Sequence, residues 1–279
     1  RTTDQLMRML DFDFFEILDA VTIARSRRHI EKYYNVNEIG RFPARLPPIS
    51  KRPPLTDLGN AVTYSEIYDM LLSLTLSIYT PSNYILPSRM EKYADLNHEG
   101  KNRLTQAGRE QGIRRLMSIN LLKRLESSVH SFRLTLKRIQ DLLCSTLDAI
   151  AGYDPELTLE LNDLTSTVDF DSDDQEQDLF TVGKKVKIAL ADMDYVTWKH
   201  DLEDDFNTLY ALLGMVADIT PEYDAKLQML LDTIVQKMEK PLNPGNRKLI
   251  IFTAFSDTAD YLYEHVSKFA QGKYQLNTA

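Results

Sequence analysis

The sequence predicts a mainly α-helical chain that becomes α/β only near its end, and three patterns carry the prediction. Apolar residues recur at helical spacing through most of the first 240 positions, the longest such stretch running from Arg109 to Ile150 without a proline. The prolines gather in loops, with Pro43, Pro47, Pro48, Pro53 and Pro54 close together, a composition that excludes regular helix. A single short run, Leu249-Ile250-Ile251-Phe252, is continuously apolar, β-branched and aromatic, and it follows a Pro244-Gly245 turn. It reads as a strand buried on both faces.

Composition bounds the function. The chain has 279 residues, 43% of them hydrophobic, enough for a substantial core. Its net charge of −8, from 33 Lys+Arg against 41 Asp+Glu, gives nucleic acid no global attraction, so any such binding needs a local patch. The lone Cys144 forms neither an intrachain disulfide nor a multi-cysteine zinc site, which fits a reducing cytoplasm. No apolar run approaches the roughly 18 residues of a membrane span, so no membrane partner is expected. Arg1-Thr2-Thr3-Asp4 has neither an initiator methionine nor a signal segment, which predicts a piece of a longer protein.

In chain order, Leu6, Met7, Leu10, Phe14, Ile17, Leu18 and Val21 define a first helix that runs into a basic end carrying Arg25, Arg27 and Arg28. The proline-rich crossing then separates residues 1–50 from 51–221. Ala61 to Ser77 reads as a helix through Ile67, Met70, Leu71, Leu74 and Leu76, and Pro81 and Pro87 break the tyrosine-bearing loop behind it. The Arg109–Ile150 helix presents Arg109, Arg114, Arg115, Lys123, Arg124, Arg133, Lys137 and Arg138 on its polar face, either a solvated surface or one that tracks phosphates. Asp169 to Asp178 is too acidic to bury and reads as a mobile loop; it lacks the glycine and glutamate of a helix–loop–helix calcium site. Two helices are expected between Phe180 and Ile219, the second from Leu202, with Trp198 just before it as a core anchor. A further helix from about Glu222 to Met238 leads to residues 222–279 and the apolar run. Beyond it, Ser256 or Asp257 caps a helix with Ala259, Leu262, Tyr263 and Val266 inward.

Missing motifs exclude several chemistries. There is no Gly-x-x-x-x-Gly-Lys-Ser/Thr loop, Gly-x-Gly-x-x-Gly, His-Glu-x-x-His or Gly-x-Ser-x-Gly, and the five histidines lie on separate elements without ligand spacing. No metal site and no catalytic residue is expected in this chain. Gln106-Ala107-Gly108-Arg109-Glu110-Gln111-Gly112-Ile113-Arg114-Arg115 is a near-match to the glutamine–glycine–arginine box of helicase-type ATPases, one residue short, and reads as helix-start residues.

Lys226-Leu227 to Leu231 and then Lys248 to Leu262, with Thr253-Ala254-Phe255-Ser256-Asp257-Thr258 at its centre, together resemble the start of the second RecA-like lobe of Swi/Snf-type helicase-like ATPases, motif IV included. Ile23-Ala24-Arg25-Ser26-Arg27 is similar to that family's Leu-Arg-Arg-Thr-Lys box, with Ala24 in place of the first arginine. Asn120 to Ser128 looks like the helical segment between the lobes of bacterial members. The resemblance implies a central fragment: the end of lobe one (1–50), a helical insertion (51–221) and the first strand–helix unit of an incomplete α/β RecA-like lobe (222–279). It implies ATP and Mg in the full-length parent, neither held strongly by this piece, which would be inactive alone. Its partners would be double-stranded DNA and the remaining lobes of the same polypeptide. The backbone-gripping residues would be Arg25, Arg27, Lys123, Arg124, Thr253, Ser256 and Thr258, where hydroxyls and helix N–H groups suit a phosphate. A non-catalytic helical protein-interaction module is the competing expectation.

Overall fold

Thr63 opens α1 (Tyr64–Ser73): its hydroxyl accepts the Glu66 N–H while the Glu66 carboxylate accepts the Thr63 N–H, a reciprocal capping box. The computed structural model describes Arg27 and residues 46–59, 62–96, 106–152, 158–160 and 187–278. The chain divides into two compact units, Arg1–Lys51 and Arg52–Ala279. Of the first, Arg27 is helical and exposed and residues 46–51 are exposed without regular structure; Arg25 and the acidic 169–178 segment lie outside the described residues.

The second unit is mainly helical. After α1 come two short 3-10 turns, Ser77–Tyr79 and Pro81–Tyr84, and a longer 3-10 stretch, Pro87–Leu96, kinked at Tyr93. Then follow α2 (Gln106–Ser127), α3 (Val129–Ala151), strands β1 (Thr158–Glu160) and β2 (Lys187–Ala189), α4 (Tyr195–Met215), α5 (Ala225–Glu239) and α6 (Ser256–Tyr274). The two strands pair antiparallel, Leu159 opposite Ile188.

Two expected boundaries move. The long helix expected from Arg109 to Ile150 is two helices, because Ser128 leaves the helical region (φ −158°, ψ 149°) and its side chain accepts the Ser131 N–H. An internal serine is a capping residue as readily as a proline is a breaker. Trp198 lies inside α4, not ahead of it, since Asp194 caps that helix through the Thr197 N–H. Residues 187–189, expected in a helix, form β2.

The main apolar cluster is shared by α1, α2, α3 and α4. Phe132, Leu136, Ile139 and Leu143 of α3 join Trp198, Leu202, Leu209 and Leu212 of α4, with Ile67, Met117 and Leu121 beside them, all buried. A buried polar clamp fixes the chain where α1 ends. Asp205 of α4 accepts hydrogen bonds from Thr75 N (2.7 Å), Thr75 Oγ1 (2.9 Å) and Ser77 N (3.0 Å). Between them Leu76 sits at φ 50°, a left-handed conformation costly for a branched side chain, and Trp198 Nε1 donates to the Ser77 carbonyl at 3.2 Å. The clamp offsets the strain and buries Leu76.

A smaller apolar cluster, Ile234, Met238 and Val266, ties α5 to α6. The predicted Pro-Gly turn is present: Asn246 N donates to the Asn243 carbonyl at 3.0 Å and Gly245 takes φ 77°, as the third residue of a type II turn requires.

Candidate functional site

The junction between that turn and α6 is where the structure departs most from a sealed globular surface. Leu249, Ile250, Ile251 and Phe252 are 41%, 76%, 37% and 89% exposed, alternating with the two-residue period of a strand. No backbone–backbone hydrogen bond joins residues 249–254 to any other described residue. The strand expected to be buried on both faces is therefore buried on neither and has no ladder partner among the described residues. Its apolar side chains and its unpaired N–H and C=O groups are both presented to solvent, the combination that marks a surface for strand pairing.

What holds the first turns of the following helix is polar and aromatic. The Asp257 carboxylate accepts from Arg124 at 2.7 Å and from both terminal nitrogens of Arg138 at 3.2 and 3.3 Å. Arg124 is buried; its Nε donates to Asn120 Oδ1, its Nη1 to Ser131 Oγ, and its guanidinium lies 4.7 Å from the Phe255 ring centroid. Burial pushes the Asp257 carboxyl upward, and the hydrogen bonds from Arg138 and Arg124 more than reverse it, so the group ionises below the ordinary carboxylate range. Thr258, buried in the first turn, shares hydrogen bonds with Ser127 Oγ (2.9 Å) and Ser128 Oγ (3.1 Å) at the α2–α3 corner. One turn on, Tyr261 stacks on His130 of α3 with ring centroids 4.8 Å apart and planes 6° apart. Its hydroxyl donates to Asp224, the residue that caps α5. His265 meets the same ring edge-on at 4.7 Å.

These contacts revise several expectations. Arg124 and Thr258 are interior groups, consumed by Asp257 and by two serines, and neither is placed to meet a phosphate. Arg133 is likewise withdrawn from the basic face, donating to the carbonyls of Val216 and Ile219 at the end of α4. Lys123, Thr253 and Ser256 remain exposed, as do Arg247 and Lys248 beside the apolar run. The first residue outside α6 is Phe255, which makes no side-chain cap; neither Ser256 nor Asp257 serves as one. The buried face of α6 is Thr258, Tyr261, Val266 and Ala270, whereas Ala259 and Tyr263, expected inward, are exposed. A hydrophobic period could not select that face, because half of it docks through polar and aromatic groups. His130, Tyr261 and Asp224 are the site residues that spacing alone did not single out; Asp257 was expected as a helix cap and Arg138 as a basic-face cation, not as partners. The available signal was the i, i+4, i+8 series Asp257, Tyr261, His265 on one helical stripe.

No protein-family model matches the chain, and no curated protein or solved structure matches it either. Among the described residues no group of His, Cys, Asp or Glu side chains is arranged to hold a metal, and no helix is long and apolar enough to cross a membrane.

Proposed function

We propose that the chain is the helical insertion and second-lobe start of an ATP-driven DNA translocase of the Swi/Snf-like helicase type, and that it couples the helical body to the moving lobe. The observation that carries this reading is the uncovered Leu249–Phe252 run directly ahead of a helix whose first turn is latched to the α2–α3 corner. A strand–helix unit with an open strand and an exposed Ala259 and Tyr263 on its helix suits the first repeat of a parallel sheet whose other strands lie elsewhere. The latch is then the mechanical link. A lobe closing around ATP would pull on α6 through its strand, and Asp257 would pass that movement to Arg124 and Arg138 on α2 and α3.

Nucleic-acid contact in this reading falls to Arg247, Lys248, Thr253 and Ser256, exposed on one short segment, with Lys123 on α2 and, in the first unit, Arg25 and Arg27. Cations and hydroxyls of this kind grip a backbone without reading sequence. ATP and Mg would be held by parts of the parent outside this chain. Binding to double- and single-stranded DNA at about 50 and about 200 mM salt, with ATP hydrolysis followed alongside, tests the reading. Weak affinity that falls steeply with salt, without hydrolysis, supports it. No affinity at low salt would favour the second reading, a protein-docking module in which the exposed Leu249–Phe252 run adds a strand to a partner's sheet.

A further inference from the structure

The same junction holds three aromatic rings from two helices, and two of them are imidazoles. His130 of α3 lies face to face with Tyr261 of α6, His265 of α6 meets the Tyr261 ring edge-on, and the Tyr261 hydroxyl is committed to Asp224 at 3.1 Å. The stack joins α3 to α6 one turn beyond the Asp257 ion cluster, while the Val266 cluster further along α6 ties that helix to α5.

We propose that this stack is a proton-operated release between α6 and α3: with the His130 imidazole neutral the helix is docked on α3, and protonation of that imidazole loosens the contact.

The charges around His130 decide the direction. Burial disfavours the imidazolium most; Arg133 one turn along α3 and His265 across the interface add positive charge, while Asp257 and Glu264 of α6 oppose them only in part, so the ring is held below its ordinary value of 6.5. An undocked His130 recovers water and its ordinary affinity for protons. The undocked state therefore binds more protons as pH falls through 6.5. Docking is at full strength above that value, weakens as pH falls through it, and stops weakening once the docked imidazole is itself protonated. The neighbouring Asp257 clamp does not titrate in this window, because its carboxyl ionises below the ordinary value of 3.8. Hence a mild acid shift acts on the His130 contact and leaves the Asp257 clamp ionised. The Tyr261 phenol, raised by burial and by Asp224, also stays neutral throughout.

The inference rests on how α6 is held and stands separately from the nucleic-acid reading. Amide hydrogen exchange of the whole chain, corrected for intrinsic rates, would be compared at about pH 7.5 and about pH 5.5 for the wild type and for His130→Phe, which keeps a ring but cannot be protonated. The expected result is a several-fold loss of protection in residues 258–274 on acidification of the wild type, no matching loss in 198–212, and a flat response in the variant. Equal protection of α6 at both pH values, or the same acid loss in His130→Phe, would overturn the proposal. Should that variant fail to fold, the wild-type His130 imidazole titration followed by NMR decides. A midpoint below 6.5 with α6 resonances shifting in step supports the release, and a midpoint at or above 6.5 refutes it.

Discussion

Helix α3 packs against α4 and against α6 in different ways. Toward α4 it offers Phe132, Leu136, Ile139 and Leu143, an apolar surface with one polar contact at its edge, Arg133 to the carbonyls that end α4. Toward α6 it offers its cap Ser128, His130 and Arg138, and α2 adds Arg124 and Ser127, so each contact there depends on one named group opposite. Apolar burial scales with area and ignores pH and salt over ordinary ranges, whereas ion pairs, hydroxyl pairs and imidazole stacks respond to both. The first interface makes a permanent body. The second is built to be undone.

The largest expected effect comes from breaking the permanent side. Trp198→Ala would empty the centre of the main cluster and orphan the Ser77 carbonyl, costing about 4 kcal/mol and exposing α1, α3 and α4 together in denaturant melts. Asp205→Ala would follow at about 3 kcal/mol, because the buried N–H groups of Thr75 and Ser77 lose their acceptor and Leu76 loses the support for its left-handed backbone. Either change acts on the whole unit, and a loss restricted to one helix would show that α3 and α4 do not form a common core.

Asp257→Ala tests the other side. It should cost about 1–2 kcal/mol, discounted because Arg138 is exposed to solvent, and should show as faster exchange confined to α6. Acid reproduces it by a different route. The folded carboxyl ionises below its ordinary 3.8, so its contribution is present above that value and is lost as pH falls further. The smallest effect belongs to the open strand. Ile250→Ser with Phe252→Ser should change the stability of this chain by no more than about 0.5 kcal/mol, since neither side chain is buried, while abolishing strand pairing with any partner sheet. A larger loss would mean that the run packs against the body after all.

How much of this was legible in the residues follows the same division. The apolar face announces itself: Ile113, Met117 and Leu121, then Phe132, Leu136, Ile139 and Leu143, repeat at helical spacing, and Trp198 as a core anchor needs only its size. The Pro244-Gly245 turn was equally plain, because a positive φ after proline calls for glycine. The polar face is silent to periodicity. Arg124 reads as a basic-face cation, yet Asp257, distant in sequence, lies beside it, and Thr258 reads as a phosphate-gripping hydroxyl, yet Ser127 and Ser128 close on it. A long-range pair of polar groups leaves no local signature in either partner. For the apolar run the opposite holds. Its sequence asks for a buried strand, and the described residues provide none, a conflict between local pattern and surroundings that falls where a functional contact would be made.

Native-state hydrogen exchange at increasing denaturant tests the division of α3 most directly, by reading the opening free energy of α4 and α6 in one experiment. The account predicts that residues 198–212 exchange only through global unfolding, while residues 258–274 open at a distinctly lower free energy that falls further with added salt. If α6 instead exchanged with the same free energy as α4 at every salt concentration, the two would belong to one cooperative unit, and the polar interface would be a fixed part of the core.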